Sequence, residues 1–222
     1  MPIGLILLLV LAVLIYFGLL QRILDRMKMS DKLAIVFIGA MIVGSFLPNI
    51  PIGMGLAINV GGGLIPIVIA LYIIVTSETS EEKVRAITAS VITGIIIYIM
   101  GRILPAEPDS MFVDPIIAFS IVAGIVSYIF GRSRRGAFVS GILGIVINDV
   151  INAIGIVNRP IGTVIGGAGV LDAVVISAVI AVGLCEITGE AREKLQGGTS
   201  KVKIEKTSRD NDWVKKEGER DE

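Results

Sequence analysis

Apolar residues run in long blocks through the first 188 positions, and the polar residues gather in short breaks between them. A block of about 20 apolar residues spans a bilayer as a helix, and 18 or more with few charges predicts a span. Seven such blocks can be placed, over 2–21, 33–50, 62–77, 86–104, 112–130, 136–155 and 164–186. The third is short, so its span is expected to take in part of Asn59–Gly63. The first has no basic leader and no small-residue cleavage site, and its charges follow it; it reads as an uncleaved helix. The pattern predicts an all-α membrane protein of about seven transmembrane helices.

The breaks also predict direction. Lys and Arg in short loops prefer the cytoplasmic side. The loop after block 1 carries Arg22, Arg26, Lys28 and Lys32, that after block 3 Lys83 and Arg85, and that after block 5 Arg132, Arg134 and Arg135. The intervening loops have none, or only Arg102 or Arg159. The alternation places the N-terminus outside and the C-terminus in the cytoplasm of a multi-pass cell-membrane protein.

Composition sharpens this picture. Hydrophobic residues make up 54%, charged residues 18%, and mean hydropathy is +0.84. A soluble domain averages about 45–50% apolar and about 25% charged. Residues 189–222 hold 9 of the 20 Lys/Arg and 9 of the 20 Asp/Glu, and none of the charges lies between Lys32 and Glu78. Two regions follow: a transmembrane domain over 1–188 and a flexible charged tail over 189–222, which is too polar to offset its own ordering. Residues 188–195 are expected to prolong the last helix by a turn or two. With no His and the single cysteine Cys185, the chain has no Ser-His-Asp triad, no His metal site and no CxxC pair. No cofactor or metal is implied. The zero formal charge argues against nucleic acid. The lipid bilayer is the expected partner; self-association into a homo-oligomer and a cytoplasmic partner for the tail both fit such a chain.

An internal repeat is visible. Gly61–Pro66 aligns without a gap on Gly167–Asp172, and in the preceding blocks Ala40, Gly44, Pro48 and Asn49 fall on Ser140, Gly144, Asn148 and Asp149. Because the copies begin four blocks apart, they run in the same direction, giving a parallel 3+1+3 repeat of a kind known among transporters. Glycine weakens helix continuity. Gly61, Gly62, Gly63 and Pro66, and Gly166, Gly167 and Gly169, are therefore expected to be helix breaks at the start of blocks 3 and 7.

These same runs carry a resemblance. The segments N-V-G-G-G-L-I-P at 59–66, I-N-D-V at 147–150 and I-G-G-A-G-V-L-D at 165–172 resemble the prokaryotic membrane-protein family called domain of unknown function 1614, over roughly residues 1–188. The resemblance implies a membrane class and places Asp149 and Asp172 on acidic positions of the family pattern. It brings no activity.

Four acids fall inside blocks: Glu186 at a cytoplasmic end, where it reads as interfacial, Asp114 near an outer end, and Asp149 and Asp172 deeper. A charge at the centre of a membrane helix costs at least about 2.5–3.5 kcal/mol and usually faces protein or water. Counting about 1.5 Å per residue puts Asp149 about 9 Å and Asp172 about 13 Å below the outer surface, a matched depth on adjacent antiparallel helices. Gly136, Ser140, Gly144, Asn148 and Asn152 recur every four residues and share one helical face, tight at the cytoplasmic half and polar at the outer half. The structural alternatives are an N-cap role for Asp172 and a buried ion pair of Asp149 with Arg159 or Arg102.

Three functions follow. A carboxylate in a partly dry cavity carries a proton or holds a cation, so Asp149, Asp172, Asn148, Asn152, Asn59 and Asp114 could bind a proton, cation or small solute for transport. Alternatively, Asp149 and Asp172 could form the catalytic pair of an aspartic intramembrane protease. The likeness to presenilin-like enzymes is partial: Val170-Leu171 separates the Gly run from Asp172, a shift of about 200° of helix, and Asn148 precedes Asp149 where those enzymes carry Tyr. The third is a membrane scaffold or assembly factor. Transport is preferred, and no residue is assigned as an enzyme's on sequence grounds alone.

Overall fold

The computed structural model of the chain describes residues 25, 27, 29–53, 55–77, 79–103, 114–155, 162–169 and 172–195, with side chains as far as 189. The first predicted span and most of the tail lie outside them. The chain divides into two compact units, 1–185 and 186–222. Among the described residues the protein is mostly helical.

Helix α1 spans Asp31–Ser45, capped by Ser30, whose side chain accepts from the Leu33 N–H. A short hairpin follows, β1 (Ile50–Gly53) and β2 (Leu56–Ile58). A wide π-helical turn over Val60–Leu64 then leads into α2, Ile65–Val75. Helices α3 (Ser80–Ile103), α4 (Pro115–Gly131) and α5 (Arg134–Ile154) come next. Strand β3 (Thr163–Ile165) pairs in parallel with β2, placing Ile58 opposite Ile165, and the last described helix, α6, runs over Ala173–Leu195. Within the first unit, α5 packs most extensively on α3.

Block 2 is expected to be helical to residue 50, and block 7 to be helical apart from its glycine break; helix α1 instead ends at Ser45. Ile50–Gly53 and Thr163–Ile165, which fall at the ends of blocks 2 and 7, are strands. Short apolar runs rich in β-branched residues do not distinguish strand from helix by periodicity. Two described helices, α3 and α5, are long and apolar enough to cross a membrane; α4 and the apolar parts of the segments over Val60–Val75 and Ala173–Gly189 are shorter.

The distribution of side-chain size is inverted relative to a soluble bundle. The buried face of α3 is Ala86, Ala89, Ser90, Thr93, Gly94 and Ile97, while Val84, Ile87, Val91, Ile95, Ile99 and Ile103 are exposed. Helix α4 buries Ser120, Ala123, Gly124 and Ser127 and exposes Ile117, Ile121, Ile125 and Ile129 at four-residue spacing. Small residues let helices approach closely where apolar burial gives little drive, and water would be a poor solvent for so continuous an exposed aliphatic face. The contacts are close: a Cβ at Gly144 would lie 2.5 Å from the Thr93 methyl carbon, and one at Gly141 would lie 2.9 Å from the Ala178 backbone. Hydroxyls inside the bundle are satisfied. The Thr93 and Ser127 hydroxyls lie 3.2 Å apart, and Ser177 donates to the Gly141 carbonyl at 2.9 Å.

Candidate functional site: a cavity with two carboxylates

The two glycine runs pack against each other just ahead of Asp172. In the first, the three glycines face three different neighbours. A Cβ at Gly61 would collide with the Met41 carbonyl and with Ser45 of α1, and one at Gly62 with the carbonyls of Gly169 and Gly166. At Gly63 it would meet the Ile165 carbonyl of β3 at 2.7 Å. The expected break at Gly61, Gly62 and Gly63 is therefore a correction: the segment stays helical, widened to π geometry, and none of the three adopts positive φ. Glycine is required there for close approach. Pro66 lies in the first turn of α2, where its missing N–H costs nothing, so it does not break the helix either. The second run is a turn. Gly166 and Gly169 have φ +69° and +65°, which L side chains rarely adopt, and the Gly167 N–H bonds the Val164 carbonyl.

Asp172 ends that turn and starts α6. Its Oδ2 accepts from the Ala168 N–H and its Oδ1 from the Val174 N–H, each at 3.1 Å. The carboxylate thus ties the Gly turn to the helix N-terminus, where the helix dipole favours a negative charge. On α5, Asn152 donates to Asn148 Oδ1 and Asn148 donates to Asp149 Oδ1, both at 3.2 Å. This ladder uses the four-residue stripe and aims the Asp149 carboxylate.

Asp149 and Asp172 line one cavity of about 260 Å³ together with Asn148. Ile97, Pro115, Ile116, Phe119, Ile145, Val164 and Ala173 also line it, and among the described residues no Lys or Arg does. Water occupies about 30 Å³ per molecule, so the space exceeds that of a bare ion and admits a hydrated one or a small organic solute. Among the described residues no group of three or more His, Cys, Asp or Glu could hold a metal.

Other predicted residues lie elsewhere. Asn59, 4% exposed, caps the π turn: its Oδ1 accepts from Gly61 and Gly62 at 3.0 and 2.9 Å, and its Nδ2 donates to Asn49 Oδ1 at 3.0 Å. It belongs to the scaffold and does not line the cavity. Asp114 is exposed and caps α4 through the Ile116 N–H at 2.8 Å; its neighbours Pro115 and Ile116 reach the cavity wall. Asn152 acts through Asn148. Arg102 lies over the Tyr98 ring, 4.7 Å from its centroid, and bonds the Tyr98 hydroxyl. Arg159 lies outside the described residues. A further charged residue went unrecognised as anything but a loop charge: Arg135 is buried. Its neighbour Ser133, one of the preferred N-capping types, marks the start of α5 and was the available signal that the helix takes in Arg135.

Fold and site together define a helical protein of partly apolar, membrane-like character with a paired-carboxylate cavity. The chain belongs to the family described as protein of unknown function DUF1614, whose family model matches residues 19–184, a stretch that includes both glycine runs and both aspartates. No curated protein and no solved structure matches it.

Proposed function

We propose that this protein is a multi-pass membrane protein that binds a small cation or a proton at Asp149 and Asp172 and moves it across the bilayer. The observation that carries this reading is the shared cavity: two carboxylates and an amide in a pocket whose other described lining residues are apolar, with no basic side chain among them. The exposed aliphatic faces of α3 and α4 support a lipid environment. The seven-span topology, N-terminus outside and tail in the cytoplasm, follows the distribution of Lys and Arg. A parallel duplication is supported by β2 and β3, which lie side by side and run the same way just ahead of the two glycine runs. Rocking two repeats about a midplane site is an established transport mechanism.

Transport is favoured over proteolysis by the bonding of Asp172. A proteolytic pair shares one proton between two carboxyls that activate water. Here each Asp172 oxygen already accepts a backbone N–H, which fixes the carboxylate on the glycine turn and the start of α6 and leaves a further lone pair on each oxygen for a cation. The test is reconstitution in proteoliposomes with a trapped pH dye and imposed gradients of monovalent cations. Proton or cation flux lost in both Asp149→Asn and Asp172→Asn is the expected result. Flux unchanged in the two variants would overturn the reading.

A further inference from the structure

Helix α5 joins two polar sites. Asp149 lies fourteen residues beyond Arg135, about 21 Å along the helix axis. Arg135 is 5% exposed. Its Nη2 donates to the Ile73 carbonyl and to Thr76 Oγ1, both at 3.0 Å, and so holds the last turn of α2. Its Nη1 lies 3.6 Å from Glu82 Oε2 in the first turn of α3. Ser133, which caps α5, donates to the other Glu82 oxygen at 3.4 Å. One side chain thus ties three helix ends together at the end of α5 remote from the cavity.

The tie is incomplete. The Arg135 Nε is buried with no hydrogen-bond partner among the described residues. Arg135 stands in the first turn of its own helix, whose dipole disfavours a cation, and only the last turn of α2, which its guanidinium reaches, offsets this. The separation from Glu82 exceeds a direct hydrogen bond. Next to it, Arg132 holds φ 55°, the one positive φ at a non-glycine among the described residues, in the two-residue link between α4 and α5. A well-satisfied structural bridge would show none of these costs together. We propose that Arg135 and Glu82 form a gate: a breakable latch that closes the bundle opposite the carboxylate cavity and opens when α5 moves relative to α2 and α3. The proposal rests on the transport reading for its purpose, and its test separates the two.

The full chain carrying Cys185→Ser receives a single cysteine at Ser90, 1% exposed on the buried face of α3 and two turns deeper than Glu82. Vesicles are treated with a membrane-impermeant thiol reagent from either side. With the latch intact, labelling is slow from both. Glu82→Gln is expected to raise the rate at least fivefold from the α2–α3 turn side only, and the exchange Glu82→Arg with Arg135→Glu to restore protection. An unchanged rate, or an equal rise from both sides, overturns the gate. Should the Ser90 cysteine impair folding, Ala89, also 1% exposed, takes its place. One-sided labelling without flux in the parent leaves the gate standing and removes the transport reading; flux without a labelling response does the reverse.

Discussion

Gly62 and Gly166 meet backbone to backbone: a Cβ on Gly166 would collide with the carbonyl carbon of Gly62, and a Cβ on Gly62 would lie 2.5 Å from the Gly166 oxygen. The two runs that resemble one another in sequence are thus packed against each other, and together they support Asp172. Gly62→Ala should lower stability by about 1–3 kcal/mol, the cost of overpacking a tight contact. Gly166→Ala should cost more, because its φ of +69° adds backbone strain. Gly39→Ala is the control: nothing lies within 4 Å of its added methyl, and it should gain about 0.5–1 kcal/mol in a helix interior. Thermal unfolding in detergent measures all three.

Asp172 has a capping role and a charge, and the two can be separated. Asn caps a helix about as well as Asp. Here, however, Asp172→Asn can keep only one of the two accepted N–H bonds, so it should lose part of the about 1 kcal/mol or more that Asp172→Ala loses. Cation flux should vanish in both. Flux that survives in Asp172→Asn would make the residue structural only.

Asn59 makes the opposite case. Removing its side chain strands the buried N–H groups of Gly61 and Gly62. Asn59→Ala should destabilise by about 1–3 kcal/mol. Flux per folded molecule should stay near the parent value, since Asn59 does not line the cavity. Comparing the unfolding midpoint with flux normalised to folded protein checks this.

The exposed isoleucines test the lipid assignment. Ile121 and Ile125 lie mid-helix on the outer face of α4. Ile121→Arg should reduce membrane insertion by about 2.5–3.5 kcal/mol in a translocon-based glycosylation assay. Ile121→Leu should insert normally. An arginine that inserts as well as isoleucine would show that this face does not meet hydrocarbon.

The apolar blocks, the scarcity of charge and the two aspartates set within apolar blocks could be read from the linear chain, because hydrophobicity is a local property. Helical periodicity alone puts Asn148 and Asn152 on one face with Asp149 beside it, but that they bond along α5 and not across to another helix is a matter of side-chain geometry. Periodicity could not tell that Ile50–Gly53 and Thr163–Ile165 pair as strands, because strand pairing joins residues far apart in sequence. Glycine likewise has two uses, conformational freedom and absence of bulk. Only the packed neighbours show that Gly61–Gly63 serve the second and Gly166 and Gly169 the first as well. Arg135 counts as a basic loop residue by position, yet the ends of α2 and α3 enclose it. The amino-acid order determined which groups cannot rest in lipid; tertiary packing decided which of them share a cavity, which cap a helix and which tie helix ends together, because those roles depend on distances that no single segment contains.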